Sequence, residues 1–190
     1  MCDLMWNTQL SFDCQAIPAN RRQEHAHQMV AELPERYYSE TNRPIVIDKG
    51  RTWTLPLNVE MLKRYVTPQP KIICMRRDPA DVIQSFRNLF ARNNRTDFDS
   101  LGVVDTFNYS LAGLRFAEQA NDPDTFLFVD FNDLLGDAQK TLERIYDFLE
   151  LESFDHDLNN IINHNQEDDS VYGLIGMHDV RSSICPIPNG

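Results

Sequence analysis

Glycine is scarce in this chain, seven residues in 190, and the first is Gly50. No Gly-rich turn therefore precedes residue 50, which excludes a Walker-type cradle of backbone N–H groups there. No apolar run is long enough to span a bilayer. The start, MCDLMWNTQLSF, has no basic stretch leading into an apolar one, so a secretory signal is not expected. The four cysteines, Cys2, Cys14, Cys74 and Cys185, are too scattered for a metal-ligand pair. They are expected as free thiols in a reducing compartment, the cytoplasm. No Ser-His-Asp or metal-ligand spacing stands out. Positive charge is also short: 18 Lys and Arg stand against 29 Asp and Glu, a net charge of −11. That argues against coating nucleic acid or anionic lipid. A small anionic ligand stays open, because a local cluster of Lys49, Arg51, Arg76 and Arg77 acts at short range whatever the distant sum.

What is present centres on KIICMRRDPADVIQSF, Lys71 to Phe86. Ile72 to Met75 reads as a buried strand that runs into Arg76 and Arg77. A helix follows at once: Asp78 suits its N-cap, Pro79 its first turn, and Asp81 the positive end of its dipole. Val82, Ile83, Phe86, Leu89 and Phe90 recur at helical spacing. Backbone N–H groups beside a fixed cation make a seat for phosphate. Around this core, Pro18 to about Leu33 reads as a helix with Met29, Val30 and Leu33 inward, interrupted by Pro34. Ile45 to Asp48 reads as a second buried strand, with Lys49, Gly50, Arg51 and Trp53 at its end and Trp53 as core. Leu57 to Tyr65 marks a helix, and Asn93 to Ser100 a polar loop. Another helix carries Val104, Phe107, Leu111 and Leu114. Phe126 to Val129 reads as a third strand, followed by one helix bearing Leu142, Ile145, Tyr146 and Leu149. Leu158 to Ile162 suggests a last short helix, and Asn163 to Gly190 a loop.

Strands alternating with helices predict an α/β fold, a parallel sheet flanked by helices, with ligands at the carboxyl ends of the strands. With no repeat, low-complexity tract or linker, a single domain over 1–190 is expected. It divides into a helical lead-in 1–43, a core 44–152 and a loop-rich tail 153–190.

Three segments in order resemble PAPS-dependent sulfotransferases (PAPS is 3′-phosphoadenosine 5′-phosphosulfate). IVIDKGRTW is similar to the family's strand-plus-lysine segment. IICMRRDPADVIQS is similar to its 3′-phosphate motif, a strand, Arg-Asp/Asn-Pro and a serine eight residues after the arginine, here Arg77 and Ser85. FLFVDFNDLLGDAQKTLERIYDFLEL is similar to its strand, aromatic-acidic turn and closing helix. The resemblance implies a P-loop NTPase-like sulfotransferase fold. It also implies transfer of a sulfuryl group from PAPS to a hydroxyl or amine, with release of 3′,5′-ADP and no metal. Arg77 and Ser85 would hold the 3′-phosphate; the alternative is an arginine paired with Asp78 or Asp81 and a solvent-facing serine. Lys49, or Arg51 in the same way, would neutralise charge on the bridging oxygen as the S–O bond breaks. Phe131 either lies near the adenine or packs while Asp133 caps the next helix. Arg181 is either a late-loop arginine lent to the 3′-phosphate or a solvated one. The base falls among Glu24, His25, His27 and Glu32, with His25 preferred for its near-neutral unperturbed pKa. The same run, RRQEHAHQ, also reads as a solvated helix face.

The family's opening strand and P-K-S-G-T-T-like loop have no counterpart here. The fold is therefore expected to be N-terminally incomplete, with the upstream part lost, carried on a separate chain, or replaced by a segment without a recognisable motif. Besides a pure interaction module, which would show no nucleotide preference, there are two rival readings. One is a non-catalytic remnant or partner subunit that binds 3′,5′-ADP. The other is a kinase-like nucleotide enzyme, which lacks a Walker motif and an evident Mg²⁺ carboxylate pair. The acceptor has no signature in the sequence.

Overall fold

The first of the described helices, α1 (Gln23–Tyr37), turns Val30 into a core with Trp53 and Met61 and buries Ala26, while Met29 faces solvent. The structure is a computed structural model, which describes residues 23–164 and 167–184. The apolar start through Phe12, the helix expected from Pro18 up to Arg22, Cys2, Cys14, Cys185 and the last prolines lie outside the described residues.

Pro34 does not end α1. A proline removes one helical hydrogen bond, its own. The last turn is kept by the Tyr38 N–H donating to the Pro34 carbonyl at 3.1 Å and by the Arg36–Glu32 ion pair at 3.2 Å. Next come α2 (Pro56–Tyr65), β1 (Ile72–Arg76), α3 (Pro79–Arg92), α4 (Leu101–Ala120), β2 (Phe126–Asp130), α5 (Phe131–Gly136) and α6 (Ala138–Leu149). A 3₁₀ turn, Asp169–Tyr172, interrupts the loop expected for the tail. None of the described helices is long and apolar enough to cross a membrane.

The fold is α/β: β1 and β2 form a small parallel sheet flanked by helices. Two of the three expected strands are present. The stretch Ile45 to Asp48 is not a strand, and Ile45, Val46 and Ile47 are exposed. A strand needs a neighbour for its N–H and C=O groups, and among the described residues no ladder reaches this stretch. Leu158 to Ile162 likewise forms no helix; Ile161 N–H instead donates to the Ser182 carbonyl at 2.8 Å.

The chain divides into two compact units, Met1–Ile72 with Asn108–Thr125, and Ile73–Phe107 with Phe126–Gly190. In the first, Val30, Trp53 and Met61 form the core, with Leu33, Leu62 and Tyr65 against it. Gly113 of α4 lies hard against the Thr52–Leu55 turn. A Cβ there would meet the Thr54 hydroxyl, the Thr54 carbonyl carbon at 3.2 Å and Leu55 N at 3.3 Å.

In the second unit, Leu89, Phe90 and Leu174 are buried among Phe86, Phe98, Val103 and Met177. Asn93 docks the tail to the end of α3, its amide donating to the Ile175 carbonyl and its oxygen accepting from Ile175 N–H at 2.8 Å. His178 closes the tail. Its Nδ1 lies 2.6 Å from Asp169 and its Nε2 3.2 Å from Glu167. The backbone N–H of His178, followed by its ring, holds the Asp169 carboxyl below the usual carboxylate range.

Candidate functional site

At the start of α3 the helix-capping rules are obeyed. Asp78 caps the helix by accepting from Ala80 N–H at 2.7 Å, Pro79 takes the first turn, and Asp81 sits in that turn. The strand thus delivers Arg76 and Arg77 to the mouth of a capped 14-residue helix. The two arginines then part. Arg76 forms an ion pair with Asp130 at 2.7 Å and lies over the Phe128 ring. Arg77 places its guanidinium 4.7 Å from the centre of the Phe131 ring.

Nε of Arg77 is buried and makes no hydrogen bond. Its nearest charge, Asp81 Oδ2, stands 3.8 Å away, too far for a hydrogen bond. The expected alternative, an arginine paired to Asp78 or Asp81, is therefore met only as a long contact to Asp81. Asp78 is engaged in capping. A buried donor left unsatisfied costs roughly 1–3 kcal/mol, and more when charged. Such a group is chemically suited to a phosphate oxygen, which accepts the forked donors of a guanidinium.

Ser85 is exposed on α3, four residues beyond Asp81 and so on the same helical stripe. Phe131 is half-buried as the first residue of α5, with the Arg77 guanidinium near its face. Asp133 does not cap the long helix after it. The helix breaks at Asp137, which caps α6 by accepting from Lys140 N–H at 3.1 Å. Arg181 is exposed in the tail of the same unit.

Lys49, Arg51 and His25 belong to the first unit and are exposed. The segment that carries Lys49 and Arg51 is tied down by Asp48. Asp48 accepts from Trp53 Nε1–H at 2.7 Å and from the Tyr38 hydroxyl. Burial, then the Asp48 carboxylate, hold the Tyr38 hydroxyl well above the ordinary phenol range. Trp53 is buried, as expected of a core residue. On α1 the tethered histidine is His27, with Nδ1 2.6 Å from the Tyr65 hydroxyl and Nε2 3.2 Å from Arg64.

A separate hollow of about 350 Å³ lies along α5 and the start of α6, lined by Asp133, Asp137, Lys140 and Arg144 among others. None of the residues expected from the sequence to bind nucleotide lines it. What sequence reasoning missed is the pairing of Arg76 with Asp130. Its signal is an opposite charge at the last position of each strand, readable only once the two strands are known to be neighbours.

The Sulfotransferase family model matches residues 6–156, most of the chain. The protein belongs to the sulfotransferase family. The match begins well before the segments that carry the resemblance and includes α1 and α2. No curated protein and no solved structure matches the chain.

Proposed function

We propose that this sulfotransferase uses PAPS as donor and that its second unit binds the 3′-phosphate through Arg77, with Ser85 adding a hydroxyl. The observation that carries the reading is the buried, unsatisfied Nε of Arg77, beside Phe131 and the capped start of α3. A ribose 3′-phosphate supplies the acceptor this donor lacks, with about two negative charges by analogy with phosphorylated side chains. Arg181 is a further proposed contact to that phosphate, from the resemblance alone.

In the reaction, the bond between sulfur and the bridging oxygen of PAPS breaks. A new bond forms from sulfur to the acceptor hydroxyl oxygen or amine nitrogen, and 3′,5′-ADP leaves. The acceptor proton passes to a base, for which His25 is proposed. Lys49, with Arg51 as its alternate, is proposed to neutralise charge on the leaving oxygen. The logic is that of phosphoryl transfer: positioning plus charge stabilisation.

The test is calorimetric titration of wild type and Arg77→Ala with 3′,5′-ADP and with 5′-AMP. Wild type is expected to prefer the nucleotide with the extra phosphate, and Arg77→Ala to lose most of that preference. The expected loss is roughly 1.5–3 kcal/mol, a charge-assisted contact. Equal wild-type affinity for the two nucleotides overturns the assignment.

A second reading is nucleotide binding without transfer, in which Arg77 holds the 3′-phosphate of 3′,5′-ADP as a remnant or partner subunit would. Tight 3′,5′-ADP binding with no turnover of PAPS, alone or with simple alcohols and amines, selects that reading. ATP binding as tight as 3′,5′-ADP binding selects a kinase-like one.

A further inference from the structure

The carboxyl ends of the two strands are matched position by position. β1 ends at Arg76 and β2 at Asp130, and these two form the 2.7 Å ion pair. One residue further on, each chain segment contributes to a second contact, Arg77 against Phe131 at 4.7 Å. Successive strand residues point to opposite faces. Asp130 and Phe128 thus share one face of β2, and Arg76 engages both, its guanidinium 5.0 Å from the Phe128 ring.

Asp130 forgoes its ordinary role to do this. It stands at the N-cap of α5, yet its side chain makes no cap hydrogen bond. Aspartate is among the best N-cap residues. Here its carboxylate is turned across the sheet to Arg76 instead. Departures from a local rule of this kind mark places where something other than local stability is served.

We propose that the Arg76–Asp130 pair is a positioning latch that holds the ends of β1 and β2 in register, so that the Phe131 ring orients the Arg77 guanidinium for the nucleotide's 3′-phosphate. The proposal rests on the reading of Arg77 given above. Arg76, Asp130 and Phe131 act through Arg77 and need not touch the ligand. The physical gain is preorganisation. A free arginine side chain loses rotamer freedom when it grips an anion, and one already laid on a ring has lost much of it beforehand.

The readout is the ratio of dissociation constants, 5′-AMP over 3′,5′-ADP, which loss of general stability leaves unchanged. Asp130→Ala is expected to lower the ratio roughly threefold to tenfold, the scale of a half-exposed ion pair and a cation–ring contact. Asp130→Glu is expected to retain it. The exchange Arg76→Asp with Asp130→Arg is expected to recover more of the ratio than either single change leaves. Phe131→Leu keeps the apolar bulk and removes the ring. It is expected to lower the ratio as Asp130→Ala does, whereas Phe131→Tyr retains it, and this pair carries the test if Asp130→Ala fails to fold. Equal weakening for both nucleotides overturns the latch, since that is what a purely structural role gives. A higher ratio in Asp130→Ala also overturns it, since Arg76 would then be a ligand restrained by Asp130. If Arg77→Ala abolishes the preference while Asp130→Ala and Phe131→Leu leave it intact, the latch falls and the Arg77 site stands. If wild type shows no preference, both fall.

Discussion

Two stretches of this chain are written to the same plan and come out differently. Ile45-Val46-Ile47 leads through Asp48 to Lys49, and Ile72 to Met75 leads to Arg76 and Arg77. The second is strand β1, with Ile72 and Cys74 buried and Ile72 N–H donating to the Thr125 carbonyl at 2.8 Å. The first is not a strand, and Ile47 is 74% exposed. Local composition is as β-prone in one as in the other. The difference lies in partners: β1 has β2 beside it, and among the described residues no ladder reaches 45–48. A run of branched apolar residues is a strand only where another segment accepts its hydrogen bonds and covers its face.

The sharpest way to break this comparison is to truncate one isoleucine in each stretch. Ile72→Ala is expected to destabilise the protein by about 2–5 kcal/mol. Ile47→Ala is expected to change stability by less than about 0.5 kcal/mol. Urea unfolding of both variants is the measurement. A cost at Ile47 as large as that at Ile72 means that the first stretch is covered after all.

A smaller effect probes the helix that β1 feeds. Removing the cap with Asp78→Ala is expected to cost about 1 kcal/mol in the same titration, and an unchanged midpoint denies Asp78 that role. The smallest effect is in the tail. Asp169 has its pKa lowered by His178, backbone N–H first and then the ring. Its contribution is present above the ordinary carboxylate pKa and is lost as pH falls through the lowered folded value. Amide protection across 169–178 is therefore expected to drop below about pH 4, before that of β1 does. Protection that is flat with pH in this range denies the pair any part in holding the tail.

How much could be read beforehand follows the same division between local and distant. The start of α3 was legible in full, because Asp78, Pro79 and Asp81 act within one turn. β1 and β2 were legible from their apolar runs, and buried Trp53 from its place after one. The persistence of α1 through Pro34 was not, nor was the break at Asp137 that splits the helix expected after β2 in two. The bonds seen there are Tyr38 N–H to Pro34 and Lys140 N–H to Asp137. Within the candidate site, Arg77 was legible as a cation at a strand–helix junction. Its setting against Phe131, and the pairing of Arg76 with Asp130, join residues more than fifty positions apart. No spacing rule connects them.

Gly113 brings one helix into backbone contact with the turn at Thr54. The absence of a side chain there acts as a keyway. A methyl there would force the hydroxyl of Thr54, itself buried, to turn away and would press on the backbone at Thr54 and Leu55 by a few tenths of an ångström. In a library of variants, side chains larger than alanine should be lost there before alanine is, because each added atom deepens the same contact.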